Sequence, residues 1–258
     1  MSGLPGLRTR ALGRPALWLG EVESTNTYLK ARGDRLPHGA VCFTDNQVAG
    51  RGRLGRVWQA SPGETLALSV LLKPLREAST LPLVAGLAVS RALCQLSGAA
   101  FCIKWPNDIV CSNRKVCGIL CEGRLGSDGG FAVCGMGVNL LQTEEEFIVR
   151  DLPYAGSLWQ LTGRQLAPQA VAAAILNELE PLWEVWRCEG FLPLLPAFRE
   201  RCVTVGREVR AQSPDGTVVC EGTAAAVEPD GSLRIRTASG DRLVQAGEVS
   251  VRGLYGYL

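Results

Sequence analysis

Residues 47–58 read Gln47-Val-Ala-Gly-Arg-Gly-Arg-Leu-Gly-Arg-Val-Trp58, with three glycines, three arginines and no acidic side chain. Arginine binds planar oxyanions through paired hydrogen bonds, and glycine lets the backbone bring its own N–H groups against an anion. Trp58 adds a flat apolar surface suited to stacking on a ring or a cation. A solvated basic loop is the alternative interpretation of any such run of charge. The pattern predicts a local anion-binding loop, whose ligand has to follow from the rest of the chain.

The composition is typical of a globular protein and confines the basic character to that stretch. The chain has 258 residues, 47% of them hydrophobic and 20% charged, which allows one large or two ordinary domains. A formal net charge of +2 argues against general affinity for nucleic acids, which usually requires an extended basic face. No segment has the pattern of a secretory signal or a membrane span. We therefore expect a soluble protein that does not bind membranes.

Cysteine and histidine usage excludes several classes of site. The ten cysteines include no Cys-x-x-Cys pair, and His38 is the only histidine, so standard zinc patterns are absent. His38 follows a proline and is expected at the surface, and one histidine supports no Ser-His-Asp or Cys-His arrangement. Cysteines in apolar runs, such as Cys42, Cys102, Cys117 and Cys134, behave as small hydrophobic residues. We interpret them as reduced core thiols of a cytoplasmic protein.

Apolar runs and turn residues predict a chain of mixed strands and helices. Strands are expected at 16–22, 40–44, 65–72, 101–105, 109–111, 115–122 and 131–140, and helices at 82–96, from 156, at 168–189 and at 191–202. Residues 144–156 are expected as a loop, Pro181 is expected to kink or break its helix, and the glycines of 131–140 suggest close backbone approach. This order indicates an α+β catalytic domain.

Short strand-like runs separated by turn signals follow residue 203. Pro-Asp-Gly and Ser-Gly-Asp turns at this spacing predict a small all-β barrel of about 55 residues. The domain boundaries are therefore expected at 1–203 and 204–258.

Two further groups of polar residues carry potential chemistry. Ser24, Thr25 and Asn26 fit either a helix N-cap or a hydrogen-bonding pocket at a helix N-terminus, and the two interpretations stay open. Lys104-Trp-Pro-Asn-Asp108 places a cation, a ring, an amide and a carboxylate at a strand end. Asp108 is either ordinary turn chemistry or a ligand of Mg²⁺.

Lys115 adds a second cation across the predicted hairpin, and Gly118 then allows close approach. There is no P-loop motif. Together with the Gly/Arg stretch, this set suits joining a carboxylate to a nucleotide by metal-assisted phosphoryl chemistry.

These motifs, in this order, resemble the biotin protein ligase family. The resemblance rests on Glu23-Ser-Thr-Asn26, Gln47 with the Gly/Arg stretch, Lys104-Trp-Pro-Asn-Asp108, Arg114-Lys-Val-Cys-Gly-Ile-Leu120 and Gly137-Val-Asn139, and it covers essentially the whole chain. It implies a mixed-sheet ligase domain followed by a small SH3-like β-barrel. It also implies that biotin is activated by ATP as biotinyl-5′-AMP and then passed to a lysine of a biotin carboxyl carrier domain, as in acetyl-CoA carboxylase.

The resemblance assigns a role to each motif residue. Biotin would be bound by Ser24, Thr25, Asn26, Gln47, Arg51, Gly52, Arg53, Lys115 and Gly118. ATP would be bound by Arg53, Arg56, Trp58, Lys104, Asn107 and Asn139, with Mg²⁺ at Asp108. Lys115 would be the central catalytic cation, helped by Arg51 and Arg53. Because ordering about twelve residues costs more than a few hydrogen bonds return, the Gly/Arg loop is expected to be mobile when empty and to close as a lid.

Two other functions compete with this interpretation. Lipoate–protein ligases and octanoyltransferases share the fold, but they should lack the Gly/Arg loop and the Lys104–Asp108 turn. A non-catalytic biotin sensor would have no need of Lys115 and the loop arginines. About twenty residues precede Ser24, too few for the DNA-binding domain that some family members carry, so we expect no DNA binding. A homodimer is left open.

Overall fold

The main sheet is built from strands that the apolar runs of the sequence predict. The structure is a computed structural model that describes residues 3–58, 62–75, 78–124, 130–253 and 257. Up to residue 139 the described chain forms strands β1 (Ala16–Trp18), β2 (Glu21–Val22), β3 (Val41–Thr44), β4 (Asn46–Gln47), β5 (Thr65–Leu72), β6 (Cys102–Lys104), β7 (Asp108–Cys111), β8 (Arg114–Arg124) and β9 (Phe131–Asn139). The expected strands at 40–44, 65–72, 101–105, 109–111, 115–122 and 131–140 are thus confirmed within a few residues, whereas the single strand expected at 16–22 is divided into β1 and β2, which pair with different strands.

Seven of these strands form one mixed sheet in the order β1-β3-β5-β9-β8-β7-β6. β1 and β3 are parallel, and the other neighbouring pairs are antiparallel. β5 is buried along its whole length, as expected for a nearly continuous apolar run. It pairs with β9 from Thr65 opposite Asn139 to Leu72 opposite Ala132. β2 and β4 form a separate parallel pair beside the sheet.

Six helices lie in the described chain, and the longest two pack with the sheet in one apolar core. They are α1 (Thr25–Lys30), α2 (Leu81–Ser97), α3 (Glu144–Val149), α4 (Leu158–Thr162), α5 (Pro168–Glu189) and α6 (Leu195–Arg201). α2 ends at Gly98, whose φ of 77° is the left-handed conformation that glycine adopts freely. The helices expected at 82–96, from 156, at 168–189 and at 191–202 are confirmed.

Two local expectations were wrong. Residues 144–156 are not all loop, because α3 begins after Thr143 with a capping box in which Thr143 and Glu146 each accept the other's backbone N–H. Pro181 does not break α5, which continues through it. The neighbouring Leu179, Leu182 and Trp183 are buried in the core, and this packing outweighs the lost backbone hydrogen bond.

The C-terminal part is a five-stranded antiparallel sheet of the SH3-like kind. Its strands are β10 (Glu208–Gln212), β11 (Val218–Val227), β12 (Leu233–Thr237), β13 (Gly240–Val244) and β14 (Ser250–Gly253), in the order β13-β12-β11-β10-β14. Trp105 joins it to the main sheet: its backbone N–H donates to Thr204 Oγ1 at 2.8 Å and its indole N–H to the Gly231 carbonyl at 3.0 Å. The boundaries 1–203 and 204–258 stay a prediction.

The cysteine interpretation holds for part of the set. Cys42, Cys117 and Cys134 are buried, and burial raises the pKa of the Cys42 thiol to about 12, so that it is neutral at ordinary pH. Cys102 is only half-buried and Cys188 is exposed. Among the described helices, none is long and apolar enough to cross a membrane.

Candidate active site

A cavity of about 400 Å³ is lined by residues of the main sheet and by Ser250, Val251 and Arg252 of the C-terminal sheet. Every residue to which the resemblance assigns a ligand role lines this cavity. They are Ser24, Thr25, Asn26, Gln47, Arg51, Gly52, Arg53, Arg56, Trp58, Lys104, Asn107, Asp108, Lys115, Gly118 and Asn139. Their individual roles toward ligands stay predictions.

One end of the cavity is a network of uncharged polar groups. Thr25 donates to Gln47 Oε1 from both its backbone N–H and its hydroxyl, at 2.9 and 3.2 Å. The buried Ser69 hydroxyl lies 2.7 Å from both Thr25 Oγ1 and Asn26 Oδ1. Asn26 in turn donates to the Leu120 carbonyl at 3.1 Å. These contacts fix the orientation of each side chain, so this end is preorganised to bind a small polar, uncharged group.

Both interpretations of the Ser-Thr-Asn segment are realised by different residues. Ser24 caps α1 by accepting the N–H of Thr27 at 3.4 Å. Thr25 and Asn26 line the cavity, where the Ser69 hydroxyl contacts both side chains. Glu122 is a residue that the sequence did not reveal: it accepts from the Asn26 amide at 2.9 Å and pairs with Lys30 at 2.6 Å.

Three glycines let side chains lie directly on the sheet. Gly118 of β8 and Gly137 of β9 are partners across the sheet, and a Cβ on either would come within 3.0 and 2.5 Å of the Trp58 ring. A Cβ on Gly135 would come within 2.2 Å of Asn26 Oδ1. The close approach expected at the two β9 glycines is therefore confirmed, and it seats Trp58 and Asn26 on the cavity floor.

The Gly/Arg stretch folds as a small hairpin over the cavity. Gly52 N–H donates to the Arg56 carbonyl at 2.7 Å, and Trp58 N–H donates to the Gly50 carbonyl at 2.9 Å. A single 3-10 turn at Arg53–Gly55 closes it, with Leu54 in the left-handed conformation at φ 56°. Arg51 and Arg56 are exposed on this hairpin, which leaves their guanidinium groups available to an anion.

Arg53 instead ties the hairpin to the C-terminal sheet. Its guanidinium donates to Asn107 Oδ1 at 2.9 Å, to the Val249 carbonyl at 3.0 Å and to the Ala246 carbonyl. Burial lowers the pKa of Arg53, although not enough to discharge an arginine. Arg53 therefore holds the hairpin against the C-terminal sheet.

Two lysines and one carboxylate form the charged end of the cavity. Lys115 Nζ lies 2.7 Å from Asp108 Oδ1, and Lys104 is only 4% exposed. Burial lowers the pKa of Lys104 to about 7, and the nearby Asp108 limits the fall. Burial alone would raise the pKa of Asp108, but Lys115 and Lys104 outweigh it and keep that pKa below its ordinary value.

Tyr257 and Tyr154 belong to this charged end and were missed from the sequence. The Tyr257 hydroxyl donates to Asp108 Oδ2 at 2.6 Å, and its ring stacks on Tyr154 with 5.5 Å between the centroids. No local pattern announces them, because Tyr154 lies in a loop and Tyr257 near the chain end. Tyr154 is held against β8 by its carbonyl, which accepts the Lys115 N–H at 2.7 Å, and Tyr257 comes from the segment after β14.

The two asparagines expected at ATP are already hydrogen-bonded within the protein. Asn107 accepts from Arg53 and donates to the Ile119 carbonyl at 2.8 Å. Asn139 donates to the Gly156 carbonyl at 3.1 Å and accepts from Gln142 at 3.3 Å. Each holds the cavity wall in place, and direct contact with a nucleotide stays a prediction for both.

The charge balance of the lining favours an anion. Six cations line the cavity (Arg51, Arg53, Arg56, Lys104, Lys115 and Arg252) against two carboxylates, Asp108 and Asp151. The indole N–H of Trp58 is buried and has no hydrogen-bond partner among the described residues. An unpaired buried donor is costly unless a ligand accepts from it.

Among the described residues, Asp108 is the carboxylate to which the resemblance assigns the implied Mg²⁺ ion. Among the described residues no group of three or more His, Cys, Asp or Glu side chains could hold one. Both oxygens of Asp108 are already bonded, one to Lys115 and the other to Tyr257. Mg²⁺ takes many of its ligands from phosphates and water. The Asp108 contact to Mg²⁺ stays a prediction that requires the Tyr257 hydroxyl to leave.

Comparisons with known proteins find similarity to one family in both parts of the chain. A family model described as "Biotin/lipoate A/B protein ligase family" matches residues 19–139, and one described as "Biotin protein ligase C terminal domain" matches residues 204–252. The chain is 33% identical over 258 residues to biotin–[acetyl-CoA-carboxylase] ligase of Mycobacterium tuberculosis, covering 94% of this chain and 93% of that one.

Two further similarities extend this finding. The Paracoccus denitrificans biotin–[acetyl-CoA-carboxylase] ligase is 32% identical over 248 residues, covering 91% of this chain and 100% of that one. The structure of biotin protein ligase from Aquifex aeolicus in complex with biotin and ATP superposes with a TM-score of 0.80 at 30% identity, covering 92% of this chain and 98% of that chain.

Proposed function

The chain belongs to the biotin protein ligase family, and we propose that its cavity activates biotin with ATP and passes the biotinyl group to a lysine of a carrier domain. One observation carries this proposal. A single cavity joins a preorganised, uncharged polar end at Thr25, Asn26 and Gln47 to an end lined by cations. Biotin has a neutral cyclic urea at one end and a carboxylate at the other, and ATP supplies further negative charge.

The uncharged end binds the ureido ring. The ring offers one carbonyl oxygen and two N–H groups, which require both donors and acceptors from the protein. Hydroxyls and amides meet that need without the desolvation cost of a charge. Ser69 and Glu122 hold Thr25 and Asn26 in place, so the specificity of this end rests on fixed side-chain orientations.

The first step joins the biotin carboxylate to the α-phosphate of ATP. A carboxylate oxygen attacks phosphorus, the bond to the β-phosphate oxygen breaks, and pyrophosphate leaves with that electron pair. Lys115, aligned by Asp108 at 2.7 Å, lies beside the floor glycine Gly118 and below Trp58. Its charge lowers the repulsion between the two anions and stabilises the charge that grows on the phosphoryl oxygens. Arg51 and Arg56 cover the leaving pyrophosphate from the hairpin.

The second step passes the biotinyl group to an acceptor lysine. The neutral ε-amine attacks the carbonyl carbon of the mixed anhydride, the bond from that carbon to the phosphate oxygen breaks, AMP leaves as the anion, and the amine nitrogen releases one proton to solvent. The hairpin covers the anhydride until the acceptor arrives, and exclusion of water protects it from hydrolysis. We infer that the acceptor belongs to a biotin carboxyl carrier domain such as that of acetyl-CoA carboxylase, and that the reaction takes place in the cytoplasm.

Biotin-dependent exchange of labelled pyrophosphate into ATP tests the first step alone. We expect exchange with biotin and none with lipoate or octanoate, because neither acid carries a ureido ring for Thr25 and Gln47. Exchange supported by lipoate in place of biotin would favour the lipoate–protein ligase alternative. Tight biotin binding without exchange would instead indicate a sensor.

A further inference from the structure

Tyr257 reaches the charged end of the cavity from beyond the last described strand, β14. Its hydroxyl donates to Asp108 Oδ2 at 2.6 Å, and the Lys104 ammonium lies 3.4 Å from the centre of its ring. The ring of Tyr154 stacks on the Tyr257 ring, with an angle of 20° between the two planes. The tyrosine thus contacts both a carboxylate and an ammonium in one place.

The hydroxyl contact fixes how Asp108 faces Lys115. A carboxylate can rotate about its last bond, and its two oxygens are here held by two different donors, Lys115 on Oδ1 and Tyr257 on Oδ2. Hydrogen bonds to an ionised carboxylate are among the stronger ones in proteins. Loss of the hydroxyl leaves Oδ2 without this donor and frees Asp108, and therefore Lys115, to turn away from the reacting atoms.

The ring contact serves Lys104 in a different way. This lysine is 4% exposed, so its ammonium has few water molecules to solvate it, and the face of an aromatic ring attracts a cation in such a setting. The Tyr257 ring therefore holds Lys104 extended toward the cavity, where the phosphates of ATP are expected.

We propose that Tyr257 is a positioning residue for adenylate formation, with its hydroxyl aligning the Asp108–Lys115 pair and its ring holding Lys104 for ATP. This inference rests on the proposed function, because its effects are measured on the same reaction. It assigns a task to Tyr257, which follows β14: this side chain completes the nucleotide side of a site that is also lined by Arg252 of the C-terminal sheet.

The two contacts separate in a pair of variants. Tyr257→Phe keeps the ring over Lys104 and loses the hydroxyl, so kcat for biotin-dependent exchange should fall by about tenfold while KM for ATP changes little. Tyr257→Ala loses both contacts, so the same fall in kcat should be joined by a rise in KM for ATP of about tenfold. KM for biotin should stay unchanged in both, because the uncharged end is untouched.

Leu243→Ala provides the matched control, since Leu243 is 60% exposed on the same C-terminal sheet and lies outside the cavity lining. This variant should have the same kcat and the same KM for ATP as the unmodified chain. A kcat for Tyr257→Phe equal to that of the unmodified chain would overturn the inference. So would a lower KM for ATP in Tyr257→Ala, because the tyrosine would then be an occupant that ATP displaces. Absence of exchange in the unmodified chain would overturn the proposed function itself.

Discussion

Asp108 is the residue at which separate parts of the chain meet. It lies at the start of β7, receives Lys115 from β8 and Tyr257 from the C-terminal end, and stands opposite Lys104 of β6 across the sheet. A buried charge is tolerated only when it is paired and hydrogen-bonded, and here both oxygens are bonded. Removing any one partner should therefore disturb the other two.

His38 offers a pH-dependent measure of the fold, because it is the only histidine in the chain. The expectation of a surface position was only partly met: its ring stacks on Trp183 at 5.6 Å, and its Nδ1 accepts the Lys73 N–H at 3.1 Å. Burial has the largest effect and lowers the pKa of His38. The charges of Arg187 and Lys73 also lower this pKa, whereas those of Glu184 and Glu180 raise it. Protonation would remove the acceptor.

A lowered histidine pKa stabilises the fold above the unfolded value near 6.5, and this contribution is lost as the pH falls below it. We expect the melting temperature to decline between pH 7.5 and 5.5. His38→Asn retains an acceptor that does not titrate, so its decline should be clearly smaller in thermal unfolding followed by circular dichroism. An equal decline in both proteins would show that His38 is not the group responsible.

At the scale of elements, β8 and β9 make the floor on which the ligands are expected to lie. The facing pair Gly118 and Gly137 leaves a patch without Cβ atoms, and Trp58 fills it from the hairpin. The hairpin is therefore held at two points, by Trp58 on the floor and by Arg53 on the C-terminal sheet. Its mobility in the empty enzyme stays a prediction, and those two contacts are the ones that an opening motion would break.

Gly137→Ala tests the floor. Its Cβ would come 2.5 Å from Trp58, so the indole must shift, and overpacking of this kind costs about 1–3 kcal/mol. KM for ATP should rise by about tenfold in the exchange assay while KM for biotin stays unchanged. Gly20→Ala, where nothing lies within 4 Å of the added atom, should behave as the unmodified chain. A rise in KM for biotin alone would contradict the placement of Trp58 at the nucleotide end of the cavity.

The sequence predicted most elements because their signals are local. The continuous apolar run of β5 and the glycine that ends α2 are examples, whereas the capping pattern at Thr143 and Glu146 is equally local and was missed. The effect of Pro181 was predicted wrongly because the buried packing of α5 keeps the helix continuous through this residue. The cavity residues were found through motifs, whereas Glu122 and Ser69 were missed since only the packing of α1 on the sheet makes them partners of Asn26.

At the scale of the whole molecule, the active site lies where the catalytic domain and the C-terminal sheet meet. Arg53 contacts Ala246 and Val249, and Tyr257 contacts Asp108, so the C-terminal part completes the nucleotide end of the cavity. These contacts were unpredictable from sequence, since they depend on docking between segments about 150 to 200 residues apart. The absence of DNA binding and the question of a homodimer stay open predictions for gel-shift and sedimentation experiments.

We propose that Lys115, aligned by Asp108 between the uncharged and the cationic ends of one cavity, drives the joining of biotin to ATP. The most direct measurement is single-turnover formation of biotinyl-5′-AMP from biotin and labelled ATP. Lys115→Ala should slow it by at least about a hundredfold while the thermal unfolding curve is retained. Arg187→Ala, which removes a surface cation paired with Glu184, should react as the unmodified chain does. Adenylate formation by Lys115→Ala at the unmodified rate would contradict the account.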